Sequence, residues 1–115
     1  MKTFKMITFA WDSLSYESAV MRGINILQEA GFSDNDLRSK VMFYVYVDSD
    51  AEYENVIYRC KKLREMNVNS FVMYNVDKKR PQRIIDLQRW ANRKKLYWKC
   101  DIGEYNQQAR ILEPC

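Results

Sequence analysis

The sequence predicts an α/β fold, a single domain of three βα units around a parallel sheet in sequential strand order. Three observations lead there. The first is Lys40 to Asp48, where seven consecutive apolar or aromatic residues, Val41 to Val47, stand between a lysine and an acidic cluster. A short run of valines and aromatics that is apolar on both alternating faces reads as a strand covered on both sides. The second is that each strand-like run is followed by apolar residues recurring at spacings of three and four, the mark of an amphipathic helix. The third is the length of each strand-helix-strand connection, sufficient for a right-handed parallel crossover.

The first strand is expected within Thr3 to Trp11, with its core from Met6 to Trp11 and Asp12 at its carboxyl end. Ser13 or Ser15 is placed to cap the next helix. That helix presents Tyr16, Ala19, Val20, Ile24 and Leu27 on one face and ends at Gly31, a glycine suited to the C-terminal cap. Gly23 lies inside it at a cost of about 1 kcal/mol against alanine. It is either a site of close helix–sheet approach or a tolerated surface glycine. Phe32 to Ser39 reads as a polar loop.

After the central strand, Ser49-Asp-Ala-Glu52 has the capping-box form. Tyr53, Val56, Ile57, Cys60 and Leu63 then mark a second helix face, so Cys60 reads as a core residue. That helix should end near Met66-Asn67. Ser70 to Val76 is the third strand. Pro81 suits the first turn of a third helix, whose apolar side is Ile84, Leu87, Trp90 and Ala91 and whose end is near Arg93. The three units thus occupy about residues 4–95. Residues 96–115 are a C-terminal tail, with a short strand or extended cover from Leu96 to Ile102.

The chain has 115 residues, enough for one domain, and 47% of them are hydrophobic, which excludes global disorder. Net charge is +4, compatible with an anionic partner without requiring one. There is no histidine, which excludes Ser-His-Asp and Cys-His catalysis within this chain. Cys60, Cys100 and Cys115 are too widely spaced for the usual zinc ligand sets. An odd cysteine count without a signal peptide points to a cytoplasmic setting, and no apolar run approaches a membrane span. There is no glycine-rich phosphate loop, and most carboxylates fall where helix capping explains them.

Three parallel strands leave two open sheet edges, and such edges invite pairing with another chain. Three units are also half of a six-unit arrangement. The expected partners are therefore a second copy of the chain or a polypeptide supplying the other half, unless the tail after Leu96 covers one edge.

Several stretches together carry a family resemblance: Phe9-Ala-Trp-Asp12, Glu29-Ala-Gly31, Lys40 to Val47, Ser70-Phe-Val-Met-Tyr-Asn75 and Arg89-Trp-Ala-Asn92. Over about residues 4 to 105 the chain resembles the C-terminal half of radical S-adenosylmethionine (radical SAM) proteins of a bacterial and phage type. The resemblance implies half of a partial (β/α)6 TIM-like barrel, catalytically incomplete alone. It implies that Val72, Met73, Tyr74 and Asn75 match the last barrel strand, whose backbone contacts the adenine of S-adenosylmethionine. It gives Asp12 and Asp48, at strand carboxyl ends where barrel sites are built, contacts to the cofactor ribose or the substrate. The competing role for both aspartates is helix capping, preferred for Asp48 and evenly weighed for Asp12.

Two features depart from the family pattern. The CxxxCxxC loop that holds the [4Fe-4S] cluster has no counterpart here, so a cluster would belong to an N-terminal half. Where relatives have glycine after the central strand, this chain has Val47-Asp48-Ser49-Asp50.

The alternative is a small basic interaction module, homodimeric or nucleic-acid-binding. Residues 78–99 hold nine Lys or Arg against one acid, Asp86, with Trp90, Tyr97 and Trp98 interleaved. Basic side chains bind phosphates and aromatics stack on bases.

Overall fold

The computed structural model describes residues 6–105. Three parallel strands, β1 (Ile7–Ala10), β2 (Val41–Val47) and β3 (Asn69–Tyr74), form one sheet in the order β1-β2-β3. Helices α1 (Glu17–Glu29), α3 (Tyr53–Glu65) and α4 (Gln82–Asn92) follow the three strands in turn. Two shorter helices, α2 (Asp34–Lys40) and α5 (Lys94–Lys99), lead into β2 and follow α4. The predicted architecture is therefore present. Register runs from Ile7↔Val41 to Ala10↔Tyr44 on one side of β2 and from Met42↔Asn69 to Val47↔Tyr74 on the other.

The central strand is not covered on both sides. Val41, Phe43, Val45 and Val47 are buried, whereas Tyr44 and Tyr46 remain 36% and 39% exposed. The reason is topological. Sequential parallel strands joined by crossovers of one hand carry all their helices on one face. Val20 and Ile24 of α1, Val56, Cys60 and Leu63 of α3, and Ile84, Leu87 and Trp90 of α4 accordingly pack with the buried side of β2 into a single core. The other face, with Tyr44, Tyr46, Phe71 and Met73, is bare.

The ends of the elements follow local chemistry. Gly31, at φ 110°, terminates α1 with paired bonds from Phe32 N–H to the Leu27 carbonyl and from Gly31 N–H to the Gln28 carbonyl. A Cβ on Gly23 would meet nothing within 4 Å, so no close helix–sheet approach explains that residue. The expected loop over Phe32 to Ser39 contains α2. Ser33 Oγ accepts from Asp36 N–H, and the Asp36 carboxylate accepts from Ser33 N–H, a complete capping box. Ser49, by contrast, makes no side-chain cap, and Glu52 accepts from Asp48 N–H instead. α3 ends on Asn67, whose φ of 66° is a conformation asparagine tolerates.

Leu96 to Ile102 is neither strand nor extended cover, because its first part is helix α5. Tyr97 is fully buried there, and its hydroxyl bonds the Cys60 and Val68 carbonyls at 3.0 Å each. Trp98 Nε1 donates to Asn69 Oδ1, and Trp90 Nε1 donates to the Cys100 carbonyl at 2.7 Å. A helical turn is what places neighbouring residues 97 and 98 on these separate partners.

The two sheet edges differ. Asn75 N–H bonds the Val47 carbonyl, so by strand alternation Val72 turns its amide and carbonyl outward. Asn92 on α4 meets both, accepting from Val72 N–H at 2.6 Å and donating to its carbonyl at 3.1 Å, and Gln88 donates to the same carbonyl. The middle of the β3 edge is thus sealed by α4 side chains; residues 106–115 of the tail, which the sequence offered as an edge cover, lie outside the described residues. On β1, Trp11 N–H bonds the Tyr44 carbonyl, so Thr8 and Ala10 turn their backbone groups away from β2.

Candidate functional site at the carboxyl end of the sheet

Parallel strands deliver their following loops to one end of the sheet, and ligand sites of open α/β sheets form there. At this end the backbone chemistry is organised by Asn75. Its N–H extends the β2–β3 ladder to the Val47 carbonyl, and its Oδ1 accepts from Asp77 N–H in a tight side-chain turn. Its Nδ2 donates to Asp48 Oδ1 at 3.0 Å. Lys78 Nζ reaches Asp48 Oδ2 at 3.3 Å, closing a cluster of Asp48, Asn75 and Lys78 across the ends of β2 and β3.

These bonds hold the Asp48 carboxyl below the usual carboxylate range, the Asn75 amide contributing most and Lys78 next. Tyr46, on the bare face beside it, moves the other way, because partial burial and then the Asp48 charge disfavour a phenolate. Neither group changes protonation near neutrality. The cluster therefore offers a permanent carboxylate and a neutral phenol, a hydrogen-bonding site and not an acid–base pair.

A buried cation lies beneath the strand ends. Arg59, on the inner face of α3, is fully buried. Its Nη1 donates to the Trp11 carbonyl at 2.6 Å, its Nη2 to the Tyr46 carbonyl at 3.5 Å, and its Nε to Asn55 Oδ1 at 2.7 Å. Glu52 lies 3.9 Å from Nη2. Burial lowers the Arg59 pKa, opposed by surrounding negative groups including Glu52 and Asp12, and a guanidinium stays charged throughout. Arg59 ties the ends of β1 and β2 to α3. Sequence reasoning passed over it. Its signal was position, since an arginine adjoining Val56, Cys60 and Leu63 at helical spacing must face the core.

Of the residues singled out from the sequence, Asp48 and Asn75 come together. Asp48 does not cap the following helix; it bridges two strand ends. Asp12 is exposed and makes no hydrogen bond among the described residues, and Ser13 caps the turn after β1. Val72 has its side chain in the core and its outer backbone groups taken by Asn92 and Gln88. Met73 lies on the bare face, 45% exposed, and Tyr74 is half-buried at the strand end.

Three cations of the basic stretch are engaged within the protein. Arg83 holds Asp50 through Nε at 2.7 Å and Nη2 at 2.9 Å, Lys78 holds Asp48, and Arg80 donates to Gln88. Trp90 and Tyr97 are fully buried, leaving no ring face for a base. Among the described residues no group of three or more Cys, Asp or Glu is placed to hold a metal ion. Cys60 is buried to the point that its thiol is pushed up to about 12, so it is inert as a thiolate. Cys115 lies outside the described residues. Among those residues no helix is long and apolar enough to cross a membrane.

No family model, curated protein or solved structure matches this chain.

Proposed function

We propose that this chain is the C-terminal part of a radical-SAM-like protein, a three-unit barrel wall that is catalytically incomplete alone. In this reading it contributes part of an S-adenosylmethionine or substrate site. One observation carries the reading: the sheet has α1, α3 and α4 packed on one face and an uncharged, aromatic-rich surface on the other. A wall of that kind is what a barrel interior needs, and an isolated domain has little use for it. The Asp48–Asn75 pair at the carboxyl end is in keeping with it. A carboxylate held ionised accepts hydrogen bonds from both hydroxyls of a ribose, and Tyr46 and Met73 adjoin it on the bare face.

The iron–sulfur cluster does not fit this chain. Cys60 and Cys100 are buried singly, so a cluster belongs to a partner half that carries CxxxCxxC. That half would join in the cytoplasm, at the open side of the sheet.

The test is calorimetric titration of S-adenosylmethionine into the chain, alone and mixed with a cluster-bearing half. Saturable binding that Asp48→Ala weakens at least tenfold is the expected result. No binding in either form, or binding indifferent to Asp48→Ala and Asn75→Ala, would overturn the reading. The nucleic-acid alternative is less favoured, because Trp90 and Tyr97 are core residues and the half-buried Trp98 ring is stacked by Arg38.

A further inference from the structure

We propose that two copies of this chain join through β1 into a twofold dimer, the β1 edges pairing antiparallel into one six-stranded sheet. Among the described residues, no backbone partner meets the outward N–H and C=O groups of Thr8 and Ala10 along that edge, and Ile7-Thr-Phe-Ala10 carries no charge. An uncharged edge meets its own copy without repulsion and has no feature that selects an oppositely charged partner.

The surface beside the edge fits a second copy as well. An open apolar cleft of about 390 Å³ lies between β1 and α1, lined by Phe9, Tyr16, Ala19, Val20, Gly23 and Phe43. Ala19, Gly23 and Ile26 follow one another at helical spacing along the flank of α1 on this side. Ile26 and Tyr16 are 57% and 58% exposed, and Ile7 and Phe9 are 37% and 41% exposed. An axis perpendicular to the sheet would keep all helices on one side and bring the two α1 flanks together over the seam. The open space at Gly23, where a Cβ meets nothing, is then where the partner helix approaches closely. Exposed apolar side chains and edge backbone supply on the order of 500 Å² per copy, or about 1,000 Å² per pair, the lower limit of a specific interface.

The assembly stops at two. Each far edge is β3, and there Asn92 and Gln88 already occupy Val72. The interface is isologous and closed, and the middle of the far edge is already taken. The bare sheet face and the Asp48–Asn75 cluster stay uncovered. The dimer does not rest on the radical-SAM reading; it describes the chain by itself.

Light scattering of the purified chain, without cofactor or partner, tests this. The expected mass is twice 13.9 kDa. Thr8→Pro removes an outward N–H and no bond within the sheet, so it should give a 13.9 kDa species with an unchanged circular dichroism spectrum. Gly23→Gln, a surface change in one copy, should weaken the dimer about tenfold or more by crowding the seam. It also serves if Thr8→Pro does not fold. A monomeric parent, a dimer unaffected by either substitution, or a species that grows indefinitely with concentration would overturn the proposal. None of these outcomes involves S-adenosylmethionine, so they leave the binding titration above to decide its own question.

Discussion

Buried polar groups decide what individual residues contribute. Tyr97 shares its one hydroxyl proton between the Cys60 and Val68 carbonyls and Arg59 donates to the Trp11 and Tyr46 carbonyls, and such bonds are costly to break because the partner is left without water. Two buried protons also set the alkaline limit of stability. Cys60 keeps its proton to about pH 12 in the folded chain, against 9.0 when unperturbed, and burial moves Tyr97 in the same direction. A pKa raised by folding gives stability that is whole below the unfolded value and is lost as pH rises toward the folded one. We therefore expect the unfolding free energy measured in urea to fall from pH 9 upward, at first by about 1 kcal/mol per pH unit. Cys60→Ala should flatten the first part of this decline. At the acid end the sign reverses. Asp48 and Asp50 are lowered by Asn75 and Arg83 respectively, so their contribution is present above about pH 4 and disappears below it. Both carboxylates are exposed, so this arm should be the shallower. A flat alkaline arm in the parent chain would refute the buried-thiol account.

At the scale of elements, capping and edge chemistry explain where the sequence reading succeeded and failed. Ser33 to Asp36 forms a capping box with aspartate in the place usually held by Glu or Gln, so its polar composition reads as loop until the two reciprocal bonds are seen. Ser49 to Glu52 has the usual letters, yet Glu52 bonds the amide one residue earlier than the motif requires. α4 does more than cover the core, because Asn92 stands in for a neighbouring strand. Asn92→Ala should cost about 1–2 kcal/mol in urea unfolding, since the Val72 amide loses its acceptor. It should also produce concentration-dependent species larger than the parent's in sedimentation, through the newly opened edge. Unchanged stability and assembly in this variant would show that the edge was never at risk.

For the whole molecule the decisive feature is the bare face. Tyr44, Tyr46, Phe71 and Met73 are strand residues by propensity and surface residues by position. A double substitution, Tyr44→Lys with Met73→Lys, should change the unfolding free energy by no more than about 0.5 kcal/mol per site. It should strongly reduce fluorescence of a hydrophobic dye in the native state. A cooperative loss of stability instead would mean that this face is part of the core.

The α/β class, the order of the three βα units and most of the core were legible in the residues alone. Those depend on local periodicity, and the valines of β2 and the helix faces at Val56, Cys60, Ile84 and Leu87 carry it directly. The sequence also pointed to Asp48, at the carboxyl end of an apolar strand, and to Asn75, through the family resemblance of the third strand. Which face of β2 meets the helices, which edge is sealed in its middle, and what Asp48 touches emerge only from the folded chain. Each of these depends on partners distant in the chain: Val72 with Asn92, Arg59 with Trp11, and Asp48 with Asn75 and Lys78. Residue spacing along one element cannot encode contacts that exist only once both crossovers have the same hand.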